Sequence, residues 1–202
     1  MQIEAILFDL GKVLVDFDMQ IGLRSMLACS TIPRDEFEHV IWNKKWLGGY
    51  ERGDISTEEF HQYLCDSGSL NMGLLEFCDT WSSVFRPGVL VSESLLKSLR
   101  ARYPLVLVSN TNPVHAGFIL KNYTVLDHFD HLIFSHEVRS LKPDRKIYEH
   151  AIAASGKPAD KLFFTDDREE NIVAAREMGI HAHQFVSEGK LVEALKTLGV
   201  DF

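Results

Sequence analysis

A short apolar run that ends in an acid constrains this chain more than any other feature, because the same kind of run recurs with helical patterns between. Ile3, Ala5, Ile6, Leu7 and Phe8 form the first run, Asp9 closes it, and Gly11 follows. A near-continuous run of this length, bounded by a turn signal, fits a strand buried on both faces of a parallel sheet. Leu105–Val108, closed by Ser109-Asn110, is the next run, followed by Leu132–Phe134, Leu162–Phe164 and a weaker one at His181–Phe185. Helical patterns fall at Val114–Tyr123, Arg145–Ser155 and Asn171–Met178, and Leu191–Leu198 follows the last strand. Such alternation predicts an α/β fold with a doubly wound parallel sheet. Right-handed crossovers then bring the carboxyl ends of the strands to one edge, where open α/β sheets bind ligands. Asp9 is placed at the centre of that edge.

Between the first run and Pro87 the rhythm differs. Met19–Ser30 carries Ile21, Leu23, Met26 and Leu27 at helical spacing, and Pro33 opens a second helix with Phe37, Val40 and Ile41 inward. Gly48, Gly49 and Gly53 are expected to break the pattern. Ser56 and Glu59 read as a capping box for a helix carrying Phe60, Tyr63 and Leu64, and Leu74, Leu75, Cys78 and Trp81 suggest one more. The expected organisation is a core of residues 1–15 and 86–202 with a small helical cap inserted at 16–85.

Composition narrows the function. A chain of 202 residues with 46% hydrophobic and 25% charged residues suits one α/β domain with a small insert. A net charge of −8 argues against nucleic acid and anionic membrane as partners. It leaves room for an anionic small substrate, since local cations can reverse the field inside a cleft. Cys29, Cys65 and Cys78 are odd in number and lack metal-ligand spacing, so they read as reduced thiols. No stretch approaches a membrane span, and Glu4 and Asp9 interrupt what would be a signal peptide, so a cytoplasmic location is expected. Nothing in the sequence sets an oligomeric state.

Four polar groups follow the apolar runs: Asp9, Ser109-Asn110, Lys142 in Leu141-Lys142-Pro143, and Asp166-Asp167. Asp9 and Asp167 can share a hard cation through oxygen ligands, as Mg²⁺ prefers, with the Gly11 carbonyl as a further ligand. Ser109 and the amide of Asn110 can donate to phosphate oxygens, and Lys142 supplies a fixed positive charge. Nucleophile, metal, donors and cation together are what phosphoryl transfer requires.

These motifs resemble the haloacid dehalogenase (HAD) superfamily. The likeness is carried by Asp9-Leu10-Gly11-Lys12-Val13, Ser109-Asn110-Thr111-Asn112, Leu141-Lys142-Pro143 and Asp166-Asp167-Arg168-Glu169-Glu170-Asn171, in the family order. Asp-Leu-Gly, Ser-Asn-Thr-Asn and Glu51-Arg52-Gly53-Asp54-Ile55-Ser56 are similar to the bacterial alpha-D-glucose-1-phosphate phosphatase branch. The resemblance implies a HAD-like Rossmannoid core with a cap. It implies a Mg²⁺-dependent phosphatase acting on a small phosphorylated metabolite, such as glucose 1-phosphate. Asp9 would form an aspartyl phosphate that water cleaves, and Asp167 would hold Mg²⁺. Asp166 would bind the ion directly or through water, and Asn171 would orient Asp167. Ser109, Asn110 and Lys142 would hold the transferring group.

One position departs from that pattern. Most phosphatases of the family carry a second Asp two residues after the nucleophile as general acid and base, and here Gly11 stands there. A leaving group that needs little protonation, such as the anomeric oxygen of a sugar 1-phosphate, fits this loss, and His115 is a candidate substitute acid. Gly11 also suits a HAD-type dehalogenase, against which Asp166-Asp167 argue, and a degenerate, non-catalytic phosphate-binding protein. Lys12, Arg168, Asp16 and Asp18 read chiefly as exposed or turn residues. Trp42, Trp46 and Trp81 read as cap core, with stacking on a sugar as the alternative.

Overall fold

The structure, a computed structural model, describes residues 2–202. Its centre is a sheet of five parallel strands, β1 (Ala5–Phe8), β2 (Leu105–Ser109), β3 (His131–Phe134), β4 (Leu162–Asp166) and β5 (His181–Gln184), in the order β3-β2-β1-β4-β5. β1, β2 and β4 are buried throughout, as near-continuous apolar runs require, whereas β5 at the edge is partly exposed and reads weakly in the sequence.

Side chains alternate across the sheet and feed two cores. Ile6 and Phe8 point to the face covered by α6 (Glu93–Arg100), α7 (Pro113–Asn122) and α11 (Glu188–Thr197). Ala5 and Leu7 point to the opposite face, under α9 (Arg145–Ser155) and α10 (Glu169–Glu177). This is the doubly wound arrangement expected from the alternation.

The segment between β1 and Val84 forms α1 (Met19–Leu27), α2 (Arg34–Ile41), α3 (Lys44–Arg52), α4 (Thr57–Gly68) and α5 (Leu74–Ser82), which enclose a third core of their own. Tyr50, Phe60, Phe77 and Trp81 are fully buried there. The chain enters and leaves this unit through adjacent segments, paired where Phe17 bridges Phe85 and where Arg86 N–H donates to the Asp16 carbonyl at 2.9 Å.

One reading of this segment is corrected. The glycines at 48 and 49 do not break a helix, because α3 runs through both and stops only at Gly53, whose left-handed φ of 78° caps it. Gly49 faces inward, and a Cβ there would lie 2.6 Å from Ile55 Cδ1, so close packing explains a residue that helix propensity disfavours. The helix suggested by Leu74, Leu75, Cys78 and Trp81 forms as α5, with Phe77 and Trp81 buried and Leu75 82% exposed. The Ser56–Glu59 capping box forms as the sequence predicts.

A short helix absent from the sequence reading, α8 (Ser135–Val138), follows β3 and packs against α3. Ser135 Oγ donates to the Glu51 carbonyl at 2.6 Å and accepts from Thr111 N–H at 2.9 Å, tying α3 to the core. Gly53 lies so close to this segment that a Cβ would meet the His136 carbonyl at 2.2 Å. Among the described residues no helix is long and apolar enough to cross a membrane. The three cysteines are unpaired.

Candidate active site

Asp9 follows β1 directly, and Asp166 ends β4, the strand paired beside it, so both carboxylates reach the same end of the sheet. Lys142 arrives from the loop after β3 and binds both. Its ammonium donates to Asp9 Oδ1 at 2.5 Å, to Asp166 Oδ2 at 2.6 Å and to the Val108 carbonyl at 2.8 Å. Three donors meet three acceptors, so the buried charge is fully hydrogen-bonded. Burial works against the ammonium, but the two carboxylates outweigh it and raise its pKa above the ordinary lysine value.

Asp9, Asp166 and Asp167 each present an oxygen within 4.8 Å of the others. Three carboxylates against one buried cation leave an excess of negative charge. Burial, followed in the balance by the opposing Lys142 and the reinforcing Asp166, pushes the Asp9 carboxyl up to about 7. Asp167 is raised by burial and by Asp166. An all-oxygen cluster with surplus negative charge fits a hard divalent cation such as Mg²⁺, which would offset that repulsion.

The two aspartates of the late motif differ in placement. Asp167 is half-buried and, with Asp9, lines a cavity of about 190 Å³ that also touches Gly11, Asn110 and Lys142. Asp166 is sealed behind it and is saturated by Lys142, by Arg168 N–H at 2.9 Å, and by Asn171. Here an expectation is corrected: Asn171 Nδ2 donates to Asp166, at 2.9 and 3.0 Å, and not to Asp167. The first turn of α10 starts beyond Asp167 and folds Asn171 back over the strand end, where Asp166 lies. Tyr148 O–H fixes Asn171 in turn through its carbonyl, at 2.9 Å.

Asn110 also serves the site differently from its expected contact with phosphate. Its side-chain oxygen accepts from Lys142 N–H at 2.7 Å and its Nδ2 donates to the Lys142 carbonyl at 2.9 Å, clamping the loop that delivers the lysine. Ser109 lines a second cavity, of about 180 Å³, with an apolar and aromatic wall that includes Trp42, Trp81, Phe17 and Phe85. The two cavities border on the same four residues, Gly11, Phe17, Glu51 and Asn110, and therefore adjoin. Trp42 and Trp81 thus face the cleft as well as the core of α1–α5, whereas Trp46 stacks on Tyr63 at 4.2 Å.

His115 is not available as an acid. Its Nε2 donates to the Trp81 carbonyl at 2.8 Å, which leaves Nδ1 to accept from Asn112 Nδ2 at 3.2 Å. Burial, partly offset by the Trp81 bond, lowers its pKa to about 4. Lys12 is committed to Asp16 at 2.5 Å and the Phe17 carbonyl at 2.6 Å, and Asp18 caps α1 through Gln20 N–H. Arg168 is exposed and pairs with Glu170.

Two residues at this cleft escape the sequence reading. Phe17 fills the space beside Gly11, where a Cβ would meet its Cε1 at 2.7 Å. Glu51, from the last turn of α3, lines both cavities, and burial pushes its carboxyl up to about 7 against the opposing Arg168. The Glu51–Ser56 motif contained it, but no local signal showed which way it turns.

The fold and these motifs are similar to those of haloacid dehalogenase-like hydrolases. A family model described as haloacid dehalogenase-like hydrolase matches residues 88–179. The chain is 26% identical over 188 residues to D-ribitol-5-phosphate phosphatase of Bacteroides thetaiotaomicron, spanning 90% of this chain and 91% of that one. It is 24% identical over 186 residues to a (S)-2-haloacid dehalogenase of a Pseudomonas species, spanning 88% and 80%. A HAD family enzyme of B. thetaiotaomicron, crystallised with magnesium and inorganic phosphate, superposes with a TM-score of 0.81 at 25% identity, covering 92% of this chain and 95% of that one.

Proposed function

We propose that the protein is a Mg²⁺-dependent phosphatase of small phosphorylated metabolites, acting through an aspartyl phosphate on Asp9. The observation that carries this reading is the meeting of Asp9, Asp166 and Asp167 around one oxygen-lined point, with Lys142 bonded to two of them. Asp9, Asp167 and the Gly11 carbonyl would hold the ion, with Asp166 behind them. The bound cation supplies charge neutralisation for the transferring phosphoryl group.

The Asp9 carboxylate attacks phosphorus and the bond to the leaving oxygen breaks. Water then attacks the phosphorus and restores the carboxylate. Lys142 favours the ionised form of Asp9 against the effect of burial and orients it, Asn110 fixes the Lys142 backbone, and Asn171 fixes Asp166. Ser109, which lines the aromatic chamber, would offer its hydroxyl to the phosphoryl oxygens. Residues 16–85 act as a cap on a core of 1–15 and 86–202, and cap side chains select the substrate.

The cavities, about 180 and 190 Å³, fall below the roughly 300–1,000 Å³ of drug-sized pockets, which suits a small metabolite. Sugar phosphates fit an aromatic wall carrying a single carboxylate, and glucose 1-phosphate fits the absence of a carboxylate at position 11. The dehalogenase reading gains from Gly11 and from the Pseudomonas relative, but an alkyl halide gives three clustered carboxylates no task.

A panel of phosphorylated sugars assayed with Mg²⁺ and with chelator tests this. Turnover should require the metal, and Asp9→Asn should abolish it while the circular dichroism spectrum is unchanged. Near-normal turnover by Asp9→Asn overturns the reading, and 2-chloropropionate hydrolysis in chelator replaces it with a dehalogenase. A clear preference for glucose 6-phosphate over glucose 1-phosphate removes the sugar 1-phosphate assignment.

A further inference from the structure

The phosphatase reading names no group that protonates the departing oxygen, and even an anomeric oxygen leaves faster with a proton than without one. We propose that Glu51, delivered by the cap helix α3, donates that proton and takes one back from the attacking water. The inference rests on the phosphatase reading and deepens it.

The titratable groups bordering the phosphoryl chamber are Asp9, Lys12, Glu51, Lys142, Asp167 and Arg168. Asp9 is the nucleophile and Asp167 faces the cation point. All three Lys142 donors are occupied by Asp9, Asp166 and the Val108 carbonyl. Lys12 is paired with Asp16 and turned to the Phe17 carbonyl. Arg168 does not release protons. Glu51 remains, and it alone among these groups also borders the aromatic chamber, where the part of the substrate that leaves must sit. In that second chamber His115 is bonded at both ring nitrogens.

Position 11 cannot carry the acid, because the Phe17 ring occupies its side-chain space. The ring is itself held: Lys12 Nζ lies 5.0 Å from its centroid and Phe85 packs edge-on at 6.2 Å. Glu51 is held from the core side, since its own carbonyl accepts from Ser135 Oγ at 2.6 Å. The cap is therefore docked at the residue the chemistry calls for.

The proton balance closes. As Asp9 bonds to phosphorus, the phosphorus–oxygen ester bond breaks and the Glu51 carboxyl proton goes to the leaving oxygen, giving an alcohol. As water attacks the aspartyl phosphate, its proton goes to the Glu51 carboxylate. The bond to Asp9 breaks, and inorganic phosphate forms.

The discriminating experiment compares Glu51→Gln with wild type on two esters in Mg²⁺: the best sugar phosphate of the panel, and 4-nitrophenyl phosphate, whose leaving group departs without a proton. kcat/KM reports the first transfer. It should fall by about 10²–10⁴ on the sugar phosphate and by less than tenfold on the aryl ester. An equal fall on both esters, or no fall on either, overturns the Glu51 assignment while leaving the phosphatase reading intact. A wild type inert on both esters removes the phosphatase reading itself. Should Glu51→Gln not fold, wild type decides alone: a donor makes kcat/KM nearly insensitive to leaving-group basicity across aryl and alkyl phosphates, and a steep dependence overturns the assignment.

Discussion

Lys142 shows how much one side chain decides here. A buried ammonium between two carboxylates costs more to remove than a surface pair, because its loss leaves like charges facing each other in a poor solvent. Lys142→Met, similar in volume, should destabilise the metal-free protein by about 3–5 kcal/mol near pH 8. The penalty should shrink as pH falls, since Asp9, whose pKa the missing cation would raise further, then takes up a proton and the repulsion ends. Urea midpoints of wild type and variant at pH 8 and pH 6 measure this. A loss equal at both values would mean that packing, not charge, carries the effect.

At the scale of elements, α3 shows two adjacent glycines with opposite physics. Around Gly48 a Cβ would meet nothing within 4 Å, whereas at Gly49 it would lie 2.6 Å from Ile55. Gly48→Ala should therefore stabilise by about 0.5–1 kcal/mol through helix propensity and a less flexible unfolded chain. Gly49→Ala should instead destabilise by about 1–3 kcal/mol through overpacking. Thermal unfolding of the two variants should move the midpoint in opposite directions, and movement in the same direction would contradict the packing described. The run of residues through 48 and 49 reads as a break because propensity is a local quantity, and only the approach of Ile55 rewards a missing side chain.

For the molecule as a whole, His115 joins the helical unit of α1–α5 to the helices on the sheet: it sits in α7, stacks on Trp81 at 5.3 Å and binds the Trp81 carbonyl. Its pKa is lowered from 6.5 to about 4 in the fold, so the unfolded chain binds a proton that the folded one refuses. Stability is then complete above about pH 6.5 and declines as pH falls toward 4, by about 3 kcal/mol in total from this group. Glu51 shifts the other way, raised to about 7, so its contribution is greatest at low pH. The His115 share is therefore read as a difference. The gap in denaturation midpoint between wild type and His115→Gln should narrow between pH 7 and pH 5, and a constant gap would show that the ring does not titrate as described.

The strands, their order along the chain and the four motifs at their ends were legible in the sequence, because apolar runs and strand-end polar residues are set by neighbours in the chain. The division of labour between Asp166 and Asp167 and the use of Asn110 and Asn171 as braces were not. Each depends on what lies opposite across the sheet or the cap, a distance that one-dimensional spacing does not contain. So the sequence by itself determined the α/β architecture and the carboxylates of the site. Tertiary structure alone decided that a phenylalanine would occupy the space beside Gly11 and that a glutamate of α3 would border both chambers. Burial and contact between segments far apart in the chain settle those two placements, and they exist only once α1–α5 pack beside the sheet.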